Sequence, residues 1–229
     1  MANGKRLNFN HSAPDVTLLK TTGVRVMLSS LWAKRPLLLA FTRHQGCTQC
    51  KEMLEELVTG KRDLEKAGLK IAVIMQGTHQ QAAEFTRQYA PGLLCLADPN
   101  LEAYRAYGLE RGTIFQTFLN PKVWSAVSRS RRKGYRVEPP PAGQDAMQMS
   151  GMFVISQQGR VLLPYYFDHI ADHPPLGLLL GGVLATRWDQ PFDGPVAPPA
   201  PRHRTERRKR KPMKRAISSP AERSPGRSR

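Results

Sequence analysis

Cys47 and Cys50 bracket two residues in the run Cys47-Thr48-Gln49-Cys50, and this spacing carries more chemistry than any other feature of the chain. The pair falls where an apolar run gives way to a helical pattern. A cysteine at or just before the first turn of a helix has a sulfur that accepts hydrogen bonds from free main-chain N–H groups and feels the positive end of the helix dipole. Both effects lower a thiol pKa from ~8.5 toward neutrality, and the thiolate is the nucleophile. Cys47 is therefore the expected attacking sulfur. Cys50, one turn on, is expected to be the more buried of the two and to act as the resolving thiol. Arg43, His44 and Lys51 flank the pair. If they point toward it, Arg43 is the candidate to stabilise the thiolate or a substrate, His44 the candidate proton donor, and Lys51 a further positive charge.

Two other readings of the same spacing exist. A C-x-x-C can be half of a zinc site, which needs two more ligands; Cys95 and one of the six histidines are the candidates. It can also be purely structural. A C-x-x-C on a βαβ pattern in a reducing compartment is a redox signature, and that reading is preferred. Cys95, between leucines in mid-strand, reads as a small core residue. His169 and His173 alternate with Asp168 and Asp172, but Asp172 is better explained as a helix cap with His173 its neighbour. Tyr165 and Tyr166 read as packing; Trp124, in the irregular stretch, has two readings, the lining of a substrate cleft or core filling of that insertion, and core filling is preferred. No metal and no bound cofactor are assigned.

The elements that must position the pair follow from hydrophobic period. Pro36 to Phe41 (PLLLAF) is a continuous apolar run suited to a strand buried on both faces. Cys47 to Ala67 carries Met53, Leu54, Leu57, Val58 and Leu64 at near-helical spacing, with Gly60 as an interruption and Gly68 as the end. Ile71 to Met75 is a second strand. Thr78 with Gln81 forms a capping-box pattern opening a helix with Ala82, Phe85 and Tyr89 inward, which Pro91 stops. Leu93 to Ala97 is a third strand, and Asp98-Pro99 opens a helix running to Tyr107. Residues 109–150 are irregular apart from one helix around Val123 to Arg132; an insertion this long is usually functional or mobile. Met152 to Ser156 and Val161 to Phe167 form a hairpin. Asp172-His173-Pro174-Pro175 then opens a last helix with Leu176, Leu179, Leu180, Val183 and Leu184 inward. Alternating elements closed by a hairpin predict an α/β fold with a mixed sheet flanked by helices. A strand followed at once by a C-x-x-C-headed helix is the layout of thioredoxin-like domains.

The chain has 229 residues and three cysteines, too few for a disulfide-stapled secreted domain. The N-terminus lacks the apolar run of a secretory signal. Leu176 to Ala185 is too short and glycine-rich to span a bilayer, which takes ~20 residues. A soluble, cytoplasmic protein is expected. The net charge is +17, and residues 191–229 supply 12 Lys+Arg against 3 Asp+Glu, or +9 of it. Residues 1–188 are expected to form the folded domain, and 189–229 a disordered Pro/Arg/Lys-rich tail. That tail is basic enough for non-specific contact with nucleic acid or an anionic surface, but has no aromatics to stack bases.

Several stretches together resemble the peroxiredoxin-like proteins of the alkyl-hydroperoxide-reductase and thiol-specific-antioxidant (AhpC/TSA) superfamily, across about Ala13 to Ala185. They are Ala13-Pro14-Asp15-Val16-Thr17-Leu18 with Gly23; Phe41 through Cys50; Leu96-Ala97-Asp98-Pro99 with Tyr104 and Tyr107-Gly108; Gln148 through Ile155; Gly159-Arg160-Val161; and Asp172-His173-Pro174-Pro175. The resemblance implies a thioredoxin fold and thiol-based reduction of peroxides or disulfides, with Cys47 peroxidatic and Cys50 resolving. It implies an external thiol reductant, such as thioredoxin or glutathione. Family members carry threonine three residues before the attacking cysteine, where this chain has His44. They also carry an arginine shortly before the strand matching Phe153-Val154-Ile155, where this chain has Ser150, Gly151 and Met152; Arg43 is the candidate to replace it. Both departures bear on peroxide polarisation and neither touches dithiol–disulfide exchange. A disulfide reductase lacking peroxidase activity and a non-enzymatic binding module built on the basic tail are the alternative expectations.

Overall fold

In a computed structural model of the protein, the structure describes residues 5–182 and 187–189. A short hairpin comes first: β1 (Thr17–Lys20) pairs antiparallel with β2 (Arg25–Met27), and the single turn α1 (Ser29–Trp32) follows. Then β3 (Leu37–Phe41) leads into α2 (Thr48–Lys66), β4 (Lys70–Gln76) into α3 (His79–Tyr89), and β5 (Leu94–Asp98) into α4 (Glu102–Ala106). The insertion holds a π-helical turn (Phe115–Leu119) and α5 (Pro121–Arg132). The hairpin β6 (Gly151–Ile155) and β7 (Val161–Tyr166) and the short α6 (Leu176–Leu180) complete the order. No helix among the described residues is long and apolar enough to cross a membrane. The chain divides into units Met1–Phe192 and Asp193–Arg229. The expected tail lies outside the described residues.

The sheet runs β2-β1-β5-β4-β3-β6-β7. β3, β4 and β5 are mutually parallel; β1 and β6 close them antiparallel on either side. β3 is fully buried at all five positions because it sits between β4 and β6 with helices over both faces. Its alternate residues serve two cores. Leu38 and Ala40 join Val73, Met75, Cys95 and Val154 under α2, α3 and α6, while Leu37, Leu39 and Phe41 join Ile74, Leu96, Phe153 and Tyr104 on the other face. On that second face Phe41 meets Tyr104, Tyr107 and Phe153 at ring-centroid distances of 5.1, 5.2 and 5.7 Å, tilted or edge-on, the favoured aromatic geometry.

α2 is not interrupted at Gly60. A Cβ there would come within 2.5 Å of Leu176 Cδ2, so the missing side chain lets α6 close on α2. Gly68 ends the helix as expected, with φ +93°. The Thr78–Gln81 capping box forms in full.

Several elements differ from the sequence reading. The β1–β2 hairpin and α1 have no counterpart in it: their strands are three or four residues long and lack a clean alternation of buried and exposed positions. α4 begins at Glu102, not at Pro99. Asp98 stays in β5, Leu101 adopts a left-handed φ of 54°, and the Asp98 carboxylate reaches forward to accept the N–H groups of Glu102 (2.9 Å), Ala103 (2.8 Å) and Tyr104 (3.4 Å). The expected capping residue is right and its distance from the helix is wrong. The last helix is also shorter than its pattern suggests. Leu179 is buried, but Leu180 is 37% exposed, and Val183 and Leu184 lie outside the described residues. Asp172 does not cap it; its two oxygens accept from Tyr165 Oη (3.2 Å) and the Asp168 N–H (2.9 Å). His173 instead faces Glu56 on α2, at 3.3 Å.

Asp98 satisfies three main-chain donors at once, so its loss should be felt. Asp98→Ala is expected to lower the urea midpoint of unfolding by the equivalent of about 1–3 kcal/mol. Asp98→Asn, which keeps one acceptor oxygen, is expected to cost less.

Candidate active site

Cys47 is the N-cap of α2, with extended backbone, and its Sγ accepts the Cys50 N–H at 3.4 Å. The helix starts here because β3 ends at Phe41 against Ile74 and the chain must turn before the amphipathic pattern begins. Both cysteines are free thiols. They are equally buried, at 4% and 3% exposure, so the expected difference in burial is absent. Their environments distinguish them instead. The Cys50 sulfur lies inward and accepts the Arg43 N–H at 3.3 Å. The Cys47 sulfur lines a cavity.

The two thiols are pushed apart in acidity. A hydrogen bond from the Cys50 thiol, with help from the Arg43 guanidinium and the Cys50 N–H, outweighs burial and lowers Cys47 to about 6. Burial, reinforced by the neighbouring Cys47 sulfur, raises Cys50 well above the ordinary thiol range. At neutral pH Cys47 is a thiolate and Cys50 a thiol.

Arg43 is the charge behind this. Its side chain is buried, with Nη1 3.7 Å from Cys47 Sγ. Nε donates to the Gln148 carbonyl at 3.2 Å and Nη2 to the Ala146 carbonyl. No carboxylate pairs with it among the described residues. Its own carbonyl accepts from Gln76 Nε2 (2.6 Å), at the C-terminal end of β4.

His44 lines the same cavity. Burial, then the charges of Arg43 and Lys51, lower it to about 4, so its imidazole is neutral at physiological pH. Its Nδ1 is buried without a protein partner among the described residues. Lys51 does not face the thiolate. Its buried ammonium lies 2.6 Å from Glu138 Oε2 and 4.6 Å from the centre of the Tyr89 ring. Burial alone would lower its pKa, but Glu138 and Tyr89 outweigh that and raise it. The sequence reading is conditional on this cation pointing toward the sulfur; Glu138 and Tyr89 hold it elsewhere. Cys95 is buried in β5, and burial raises it to about 11, leaving it unreactive. The described residues hold no cluster of three or more metal-ligating side chains.

The insertion forms the rest of the site, and the first turns of α2 hold it. Glu52 accepts from Ser130 Oγ (2.8 Å) and meets Lys133 and Arg129 at 3.1 and 3.4 Å, fixing α5. Lys51 fixes Glu138. The Glu138 and Pro139 backbone lies flat on Gly46, where a Cβ would meet the Glu138 oxygen at 2.3 Å. Between α5, the Val137–Pro140 segment and the start of α2 is a cavity of about 630 Å³. Cys47, His44, Gly46 and Thr48 line one side of it, and Phe118, Val123, Trp124, Val127, Val137 and Ile170 give it an apolar wall. Trp124 is therefore a cavity residue, 66% exposed, and not core filling. Sequence reasoning missed Gln76, Gln144, Ala146 and Gln148, which fix the Arg43–Gln45 backbone or the guanidinium through 99–105-residue or 33-residue separations. The long irregular stretch was the one available signal.

A strand-to-helix dithiol in a mixed sheet defines a thioredoxin-like thiol protein. The comparisons agree. The family model of the AhpC/TSA antioxidant enzymes matches residues 56–169, a span that begins just after the cysteine pair. The bovine peroxiredoxin-like 2C is 26% identical over 172 residues, covering 72% of this chain and 75% of that protein. The chloroplastic thioredoxin-like protein AAED1 of Arabidopsis thaliana is 31% identical over 125 residues, 55% of this chain, and the match spans half of the plant protein's length. Among solved structures, the peroxidoxin BcpB of Mycobacterium tuberculosis shares the fold, with a TM-score of 0.57 at 18% identity over 80% of this chain and 99% of that one. Together these likenesses support a peroxiredoxin-like protein of the AhpC/TSA superfamily.

Three outcomes test the site. Alkylation of Cys47 by iodoacetamide should rise with pH through a midpoint near 6 and level off, because only the thiolate reacts. Arg43→Met removes a favourable charge from the thiolate and should move that midpoint upward. Gly46→Ala should force the Glu138–Pro139 segment off the site, costing about 1–3 kcal/mol as overpacking, read by thermal unfolding.

Proposed function

We propose that the protein is a thiol peroxidase for small organic hydroperoxides, cycling through Cys47 and Cys50. One observation carries the reading: an ionised Cys47 sulfur, backed by a buried guanidinium, sits on the wall of a largely apolar cavity of about 630 Å³. With Cys47 only 4% exposed, a molecule small enough to enter that cavity reaches the sulfur far more readily than a disulfide on a folded protein. The apolar wall favours an alkyl or aryl group on the peroxide.

In the first step the Cys47 thiolate attacks the distal peroxide oxygen. The S–O bond forms, the O–O bond breaks, and the alkoxide leaves with the electron pair and takes a proton to become an alcohol. Cys47 is then a sulfenic acid. Arg43 stabilises the thiolate beforehand and the departing negative charge afterwards, a role matching that of the arginine missing before β6. His44, neutral and with a free Nδ1, is placed on the cavity wall to hydrogen-bond the bound substrate. In the second step the Cys50 sulfur attacks the Cys47 sulfur, giving a disulfide and water. An external dithiol reduces that disulfide, restoring both thiols and becoming oxidised itself.

The high pKa of Cys50 does not separate this reading from a second one, a disulfide reductase. Its thiol form is a poor nucleophile until Cys47 loses its charge, which suits sulfenic-acid condensation and mixed-disulfide resolution alike. Substrate therefore decides between them. Stopped-flow mixing of the reduced protein with tert-butyl hydroperoxide should consume the Cys47 thiolate far faster than free cysteine reacts. Cys50→Ser should accumulate a sulfenic acid trapped by dimedone, and Cys47→Ser should be inert. Consumption no faster than free cysteine, together with Cys47-dependent reduction of insulin disulfides, would replace the peroxidase by the reductase.

A further inference from the structure

Eleven large apolar side chains are exposed among the described residues, and six of them lie between positions 114 and 137: Ile114, Phe115, Phe118, Leu119, Trp124 and Val137. Each is more than half exposed. They are not scattered. Phe115, Phe118 and Leu119 stand on one π-helical turn that Ile114 precedes as N-cap, and the Trp124 indole N–H donates to the Phe118 carbonyl, which seats that ring against the turn. α5 attaches to the body by a different face, through buried Val123, Ala126 and Ser130. A contiguous apolar surface of this kind marks a contact site.

The charge around it is one-sided. Residues 111–137 contain seven Lys and Arg and no Asp or Glu. Arg111 pairs with Asp145, and Arg129 and Lys133 pair with Glu52. Lys122, Arg131, Arg132 and Arg136 are exposed and make no ion pair among the described residues. Exposed Trp, Phe, Leu and Ile with unpaired Lys and Arg beside them, and no acid between, is the composition of a segment that lies in the interface of an anionic bilayer. The free cations carry one sign of charge only, which complements an anionic lipid surface.

From this we infer that the 114–137 insertion docks the protein on anionic phospholipid membranes, with the π-helical turn and Trp124 entering the headgroup region and the free cations meeting lipid phosphates and carboxylates. The inference concerns where the protein sits and does not require the catalytic reading. If both hold, the cavity mouth, which Phe118, Trp124 and Val137 line, faces the source of its apolar substrate.

Trp124 reports on the contact directly, because Trp32 and Trp188 are 6% and 5% exposed. The full-length protein is mixed with vesicles of phosphatidylcholine alone, or of phosphatidylcholine with phosphatidylserine, and Trp124→Phe supplies the background emission. On the anionic vesicles Trp124 emission should shift to shorter wavelength and be quenched by lipids brominated in the acyl chains. Phe115→Ser combined with Leu119→Ser, neither of them a residue lining the cavity, should weaken vesicle affinity by about tenfold or more, since apolar burial drives such binding. Its circular dichroism and the pH midpoint of Cys47 alkylation should be unchanged. Binding without Trp124 quenching would place the contact on the basic C-terminal residues and overturn the inference. So would the absence of binding, or a shift of Trp124 emission that follows protein concentration without lipid, which would assign the surface to a second copy of the chain.

Discussion

The site depends on one buried positive charge that has no carboxylate among the described residues to neutralise it. An arginine taken out of water is costly unless its donors are met and its charge is balanced. Arg43 meets the first condition with two carbonyls, of Ala146 and Gln148, and the second with the Cys47 sulfur. Carbonyl dipoles offset part of a cation's desolvation but carry no net charge, so ionising Cys47 is the remaining way to balance the guanidinium. The thiolate and the arginine therefore stabilise each other. The two carbonyls belong to the far end of the insertion, about a hundred residues along the chain, so the acidity of Cys47 is set by tertiary structure as much as by its helix.

That dependence explains why α2 grips the insertion so closely. Its N-terminal end presents, in succession, the Cys47 sulfur, the Cys50 sulfur, a lysine held by Glu138 and a glutamate held by Ser130, Arg129 and Lys133. These four residues, Cys47, Cys50, Lys51 and Glu52, cover a little more than one turn and point around it. The helix that activates the thiol is also the post to which the cavity walls are tied. Glu52 is the clearest case: burial alone would raise its pKa, yet Ser130, Lys133 and Arg129 outweigh it and keep the carboxylate ionised. A buried polar cluster of this kind specifies one arrangement, where apolar packing alone would tolerate several.

Much of the scaffold was legible in the sequence because its signals are local. β3, β4 and the capping box of α3 come from unbroken apolar runs and from residue types with a fixed conformational role. The cysteine pair was legible for the same reason, since its chemistry follows from a helix start. What could not be read is what depends on distant partners. Asp98 looks like an N-cap from its neighbours, and only the left-handed turn at Leu101 moves the helix three residues on. Lys51 looks like a charge beside the sulfur until Glu138 and Tyr89 claim it. Trp124 looks like core because large aromatics usually are, and nothing local tells that α5 buries its other face. The carbonyls that hold Arg43 leave no trace in side-chain types at all.

In the proposed cycle, opposite shifts in the two thiols also set the order of events. A resolving cysteine as acidic as the attacking one would repel it as a second anion and would itself be open to oxidation. Here the proton that Cys50 keeps is donated toward Cys47, so it stabilises the very thiolate that must react first. Once Cys47 is oxidised it no longer carries that charge, the hydrogen bond loses its acceptor, and the electrostatic brake on ionising Cys50 is released. Arg43, whose N–H contacts the Cys50 sulfur and whose guanidinium contacts that of Cys47, then has only one sulfur left to stabilise as an anion. A single arginine can thus serve both thiols in turn because burial allows only one of them to be charged at a time.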